Sequence, residues 1–202
     1  MTARSGPKPA SFGDRRHRRI GLLGGSFNPA HQGHLHVSKE ALKRLNLHQV
    51  WWLVSPQNPL KPTHGMAPLA QRLDQARKIA AGTGIVVTDL ERRLGSARTL
   101  LTLRRLKTHY PGMTFVWLMG ADNLAQAAKW WRWQHIFHAT RVAVFDRSPY
   151  SYAALASAAA QRFGKVRTRR PSTIWHRLLP VWTYVAIRRH PASATALRKT
   201  AR

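Results

Sequence analysis

Five short apolar runs recur along the chain, each pair separated by enough residues for a helix, and this alternation restricts the fold more than any other feature. They are IGLLG at 20–24, VWWLV at 50–54, GIVVT at 84–88, TFVWLM at 114–119 and RVAVF at 141–145. Runs this short and this uniformly apolar suit strands covered on both faces. Between the first two, Leu35, Ser38, Ala41, Leu42 and Leu45 fall at spacings of three and four, which predicts a helix over 33–46. Comparable stretches predict helices over 67–81, 97–109 and 121–138. Strands that alternate with helices pair in parallel through crossovers. The expected fold class is therefore α/β: a Rossmann-like doubly wound parallel sheet in a single domain, with the ligand at the carboxyl ends of the strands.

Residues 1–19 mix Pro, Gly, Ser and six Lys or Arg with little apolar content, so the expectation is a disordered basic tail followed by a domain over 20–202. SYAALASAAA at 151–160 favours helix. A length of 202 residues suits one domain with a sizeable core. The chain has no cysteine, which excludes disulfides, thiolate metal sites and a cysteine nucleophile. No stretch approaches the roughly 18 to 20 apolar residues of a membrane helix, and the opening residues lack the apolar centre of a secretion signal. The reading is a soluble cytoplasmic protein with no membrane partner.

Thirty-four Lys and Arg against seven Asp and Glu give a formal charge of +27. Such a field concentrates anions, whether nucleotides, pyrophosphate, nucleic acid or anionic membrane, and it equally suits a generally basic surface with no specific partner. Nucleic acid enters as a non-specific partner only. After Asp146 there is no acidic residue, and 161–202 carries eleven basic ones. Nothing in the sequence sets the oligomeric state.

The densest chemistry follows the first apolar run. Gly24 and Gly25 let backbone approach a ligand closely, and a helix starting near Gly33 turns N–H groups and a positive dipole end to the same place, which makes a phosphate site. The segment lacks both the G-x-G-x-x-G fingerprint and the Gly-Lys-Ser/Thr of a P-loop. His31 and His34, three apart across the helix start, can both donate to charge that builds on a phosphate during transfer. The same pair also suits surface histidines or part of a zinc site, which needs a third protein ligand.

Gly24-Gly25-Ser26-Phe27-Asn28-Pro29-x-His31-x-Gly33-His34 resembles the signature of the nucleotidylyltransferase superfamily with the H-x-G-H motif, specifically the bacterial nicotinate-nucleotide adenylyltransferases. The likeness runs from Ile20 to Arg198. It extends to Gly120-Ala121-Asp122-Asn123-Leu124 with Trp130 beyond, to Ser193-x-Thr195-x-x-Arg198, to Ser96-Ala97-Arg98-Thr99 where Arg98 replaces the usual tyrosine, and to Ser55-Pro56-Gln57-Asn58-Pro59-Leu60-Lys61.

The resemblance implies adenylyl transfer from ATP to nicotinic acid mononucleotide in NAD biosynthesis, with ATP and the mononucleotide as partners and Mg²⁺ arriving with ATP. His31 and His34 are the implied catalytic residues. Gly24, Gly25, Ser26, Phe27, Gly120, Asp122, Arg147, Ser193, Thr195 and Arg198 are the implied ATP contacts, Asp122 by accepting from ribose hydroxyls. Lys61, Thr99 and Trp130 are implied for the mononucleotide, Trp130 by stacking on the pyridine. No protein residue is expected to ligate a metal. Relatives continue through a full helix beyond Ser-x-Thr-x-x-Arg, so the helix carrying Arg198 is expected to be short.

Overall fold

The computed structural model describes residues 9–56, 65–146 and 150–188. Seven strands form one sheet: β1 (Arg18–Gly25), β2 (Gln49–Val54), β3 (Val86–Thr88), β4 (Met113–Gly120), β5 (Arg141–Phe145), β6 (Arg167–Thr168) and β7 (Trp182–Val185). Their order is β3-β2-β1-β4-β5-β7-β6, and every pairing is parallel. The helices are α1 (Gln32–Arg44), α2 (Leu69–Ala80), α3 (Leu90–Arg93), α4 (Thr99–His109), α5 (Ala121–Gln126), α6 (Trp133–Ala139), α7 (Ser151–Leu155) and α8 (Ala158–Arg162). The expected doubly wound sheet is the fold of the chain.

Alternate side chains of each strand enter two separate cores, which is why the runs are apolar throughout. Ile20, Leu22, Trp51, Leu53, Phe115, Trp117, Val142 and Val144 pack on one face with Leu100, Leu103 and Leu106 of α4. Leu23, Val50, Trp52, Val54, Val116, Leu118, Ala143 and Phe145 pack on the other with Leu35 and Ala41 of α1 and Leu73 and Ala76 of α2. Gly21 lies under both Leu47 and Leu118: a Cβ there would sit 2.7 Å from Leu47 Cδ1 and 2.9 Å from Leu118 Cδ1. A side chain at that point of β1 would force both leucine side chains to shift.

The structure departs from the sequence expectations in four places. β6 and β7 were not expected, although Val181 to Ile187 is an apolar run whose Trp182 is 1 % exposed. Helix 121–138 is broken into α5, a 3₁₀ turn over Ala127–Lys129 and α6, with Arg132 in the left-handed region at φ 50°. The Trp130–Trp133 run is a poor helix former compared with the alanines before it. Helix 151–160 divides at Ser157, whose hydroxyl caps α8 by accepting from the Ala160 N–H. Residues 9–19, expected to lie in an unpacked tail, are tied down instead. Arg18 and Arg19 already belong to β1, Phe12 stacks on His109 at 4.4 Å, and the Tyr110 hydroxyl donates to Ala10 O at 3.1 Å. Aromatic packing at Phe12 outweighs the polar composition around it.

No described helix is long and apolar enough to cross a membrane.

Candidate active site

Strand order reverses between β1 and β4, which are neighbours whose following connections go to opposite faces of the sheet. The loops leaving their carboxyl ends therefore flank a crevice, the place where open α/β sheets bind ligands. From β1 come Gly24 to His31, and from β4 come Gly120 and Asp122.

The two glycines of the first loop have different reasons to be glycine. A Cβ on Gly24 would collide with the indole of Trp117, so packing from below excludes a side chain there. At Gly25 the nearest atom to such a Cβ is Phe27 Cε2 at 3.6 Å, an ordinary contact. Packing does not exclude a side chain at 25, and glycine there leaves the backbone free of a Cβ where it can meet a ligand directly.

His31 is the N-cap of α1 and is 6 % exposed. Its Nδ1 accepts from the Gly33 N–H at 3.1 Å, while His34 Nδ1 accepts from the His31 N–H at 3.2 Å. The pair thus forms a reciprocal capping box made of imidazoles in place of the usual hydroxyl and carboxylate. An Nδ1 that accepts a backbone N–H carries no proton, which assigns the ring proton to Nε2 in both residues. The rings lie 3.8 Å apart, centroid to centroid, at 37°. Phe27 and Trp52 wall the pair, Phe27 being 4.7 Å from His34 and 5.0 Å from Trp52. Trp52 Nε1 donates to Ser38 Oγ at 2.7 Å, and Ser38 Oγ donates to His34 O at 2.8 Å, which fixes the first turns of α1 against β2.

The structure thus brings His31, His34, Gly24, Gly25 and Ser26 into one loop and places Gly120 and Asp122 at the carboxyl end of the adjacent strand. Phe27 is different in kind: its ring is 2 % exposed and belongs to the core, at φ 47°, so only its backbone is left to meet a nucleotide. Among the described residues no group of three His, Cys, Asp or Glu could hold a metal ion.

Thr99 opens α4 and is half-buried, preceded by Arg98 at the N-cap. The guanidinium of Arg98 lies 4.9 Å from the ring of Trp131, and that of Arg132 lies at the same distance. Trp131 is exposed, whereas Trp133 is partly buried against the core and packs edge-on to Phe137 and Phe163. Trp130 is likewise partly buried against the core, at the end of the 3₁₀ turn. Lys61, Arg147, Ser193, Thr195 and Arg198 lie outside the described residues. The chain approaches α1 at Arg188, whose carbonyl accepts from His36 Nε2 at 2.6 Å, two residues beyond His34.

Carboxylates are scarce, and their placement is informative. Four of the seven make local ion pairs: Asp14 with Arg16, Glu40 with Arg44, Asp74 with Arg77 and Asp89 with Arg92. The other three, Glu91, Asp122 and Asp146, each follow the carboxyl end of a strand, namely β3, β4 and β5. Asp146 accepts from the Tyr184 hydroxyl at 2.8 Å and from the Ser151 hydroxyl. Glu91 is 4 % exposed, and burial pushes its carboxyl up to about 7, against the opposing influence of the Ser55 and Thr102 hydroxyls.

Sequence reasoning missed two residues here. Arg72 of α2 is 1 % exposed and reaches the crevice loops through its guanidinium. Asn28 joins the first loop to the segment before α2: its Nδ2 donates to Gly65 O at 3.0 Å and its Oδ1 accepts from the Ala67 N–H at 3.2 Å. Asn28 stands inside the glycine-rich motif, but its contacts to Gly65 and Ala67 span nearly forty residues and leave no local mark.

A cytidylyltransferase-like family model matches residues 22–200. The protein named probable nicotinate-nucleotide adenylyltransferase in Caulobacter sp. is 47 % identical over 182 residues, 89 % of this chain and 96 % of the relative. Its namesake in Roseobacter denitrificans is 48 % identical over 181 residues, 89 % and 90 % of the two chains. Among solved structures, the nicotinic acid mononucleotide adenylyltransferase of Plasmodium falciparum complexed with NaAD shares the fold at a TM-score of 0.67 and 18 % identity, covering 91 % of this chain and 83 % of that one. By its sequence the chain belongs to the cytidylyltransferase-like family, and within it to the nicotinate-nucleotide adenylyltransferases.

Proposed function

We propose that this protein transfers the adenylyl group of ATP to the phosphate of nicotinic acid mononucleotide, releasing pyrophosphate and forming nicotinic acid adenine dinucleotide in the cytoplasmic synthesis of NAD. The observation that carries the reading is the imidazole pair at the start of α1, with both Nδ1 atoms engaged by backbone and both ring protons on Nε2. In the reaction a phosphate oxygen of the mononucleotide bonds to the α-phosphorus as the bond from that phosphorus to the bridging oxygen breaks, and the electron pair leaves with pyrophosphate. The nucleophile is already an anion, so no general base and no covalent enzyme intermediate are needed. Positioning and neutralisation of charge supply the rate.

His31 and His34 donate to the transferring phosphate, and the backbone of Gly24 to Phe27 cradles the phosphates. Asp122 accepts from ribose hydroxyls. Ser193, Thr195 and Arg198 hold the leaving pyrophosphate, with Arg147 on the ATP side. Lys61 takes the mononucleotide phosphate, while Trp130 and Thr99 hold its pyridine. Arg98, a cation beside this pocket, favours the pyridine carboxylate over an amide.

The donor set suits a divalent cation carried by the nucleotide, because the described residues offer no three-ligand cluster. Mg²⁺ bound to ATP, keeping most of its waters, would neutralise phosphate charge.

The bond that breaks can be read directly. Phosphorus NMR of a reaction with ATP and nicotinic acid mononucleotide is expected to show a dinucleotide diphosphate ester growing with inorganic pyrophosphate. Growth of ADP or orthophosphate instead would place the attack on another phosphorus and defeat the assignment.

A further inference from the structure

Arg72 is a buried cation whose described partners are all backbone carbonyls. It lies in the first turn of α2, 1 % exposed. Its Nη1 donates to Ser26 O at 2.6 Å and to Ser55 O at 2.7 Å, its Nη2 to Pro56 O at 3.0 Å, and its Nε to Ala67 O at 2.8 Å. Burial pulls its pKa down, yet a guanidinium stays charged. None of the four ion pairs among the described residues includes it. A charge buried without an acid is costly, and that cost is offset only through the four carbonyls it satisfies. Packing alone does not account for arginine here.

The four carbonyls have a pattern. Ser26 belongs to the phosphate loop, Ser55 and Pro56 begin the segment that leaves β2, and Ala67 ends that segment just before α2. One planar fork therefore ties Ser55, Pro56 and Ala67 to Ser26 of the loop after β1. Asn28 makes a second tie between the same two segments, at Gly65 and Ala67.

We propose that Arg72 is a positioning residue that, together with Asn28, ties the phosphate loop to Ser55–Pro56 and Gly65–Ala67 and so holds that loop in register for the transfer. The inference rests on the proposed adenylyl transfer, in which the backbone of that loop cradles the phosphates. Lysine at position 72 would keep the charge but cannot span four carbonyls. A loosened loop misplaces the transferring phosphate, and a displacement of about 1 Å suffices for a roughly hundredfold loss in rate.

The test compares wild type, Arg72→Lys, Asn28→Ala and the double variant by steady-state kinetics and by hydrogen exchange of the amides of Gly65, Met66 and Ala67. Expected are a kcat lowered about 10²-fold in Arg72→Lys with the KM for ATP within about twofold, faster exchange at Ala67 with the sheet amides unchanged, and non-additive losses in the double variant. Exchange at Ala67 that stays as in wild type overturns the proposal, as does a kcat loss shared with a general loss of protection. Should Arg72→Lys fail to fold, Asn28→Ala alone must show the same local exchange and lowered kcat, and a silent Asn28→Ala overturns it. Exchange is read without turnover, so a wild type inactive on these substrates would refute the adenylyl transfer and leave the tie at Ala67 separately measured.

Discussion

Replacing His34 with alanine is expected to lower kcat by about 10²- to 10³-fold, the usual consequence of removing one donor from a group that meets transition-state charge. The KM for ATP should change by no more than a few-fold, since the charge that needs the donor develops only as the α-phosphate is transferred. The same substitution removes half of the imidazole capping box and leaves the His31 N–H without His34 Nδ1, at a stability cost of about 1 kcal/mol. The two effects separate in His34→Asn, whose side chain can cap like other N-terminal amides, so that stability recovers while kcat stays low. A variant without His34 that keeps more than a tenth of the wild-type kcat, measured as pyrophosphate formed per enzyme, contradicts the role assigned to the ring.

Glu91 gives the largest expected effect on stability. Its folded pKa of about 7 stands above the ordinary 4.5, so the folded protein holds the proton more tightly than the unfolded chain does. The favourable contribution is complete below about pH 4.5 and is lost as pH rises towards the folded value, the sign opposite to that of a salt-bridged carboxylate. A shift of this size corresponds to about 3 kcal/mol. Glu91→Gln removes the titration while keeping the shape. Urea unfolding at pH 5 and pH 8 is the check. Wild type should lose about 2 to 3 kcal/mol more between the two than Glu91→Gln does, and equal losses would mean that Glu91 is not a buried acid.

These residues show what the sequence makes legible. RVAVF at 141–145 coincides with β5, and VWWLV with most of β2, because a strand covered on both faces is apolar at every position and needs no partner information. The Val181–Ile187 run passed unnoticed because the segment around it is dominated by arginine, so its charge and not its apolar core set the reading. Helix 121–138 was over-extended because its break depends on the tertiary placement of Trp130 and on the left-handed Arg132, not on a proline or glycine.

At the site, the placement of His31 and His34 at the start of α1 was legible because a glycine pair closing a strand leads into the helix after it. Phe27, adjacent to them, could not be sorted into ring and backbone from sequence, since burial against Trp52 is a long-range fact. Arg72 and Glu91 were hidden in helical stretches rich in charge, QRLDQARK and LERR, where one member turning inward leaves no local mark. Only a structure separates the buried arginine from its solvated neighbours.

The most direct measurement is pyrophosphate release by the purified protein with Mg·ATP and, in parallel, nicotinic acid mononucleotide, nicotinamide mononucleotide, phosphopantetheine or no acceptor. The account predicts release that requires a mononucleotide, is fastest with the nicotinic acid form and collapses in His34→Ala. Release that depends only on phosphopantetheine, or no release with any acceptor, contradicts it.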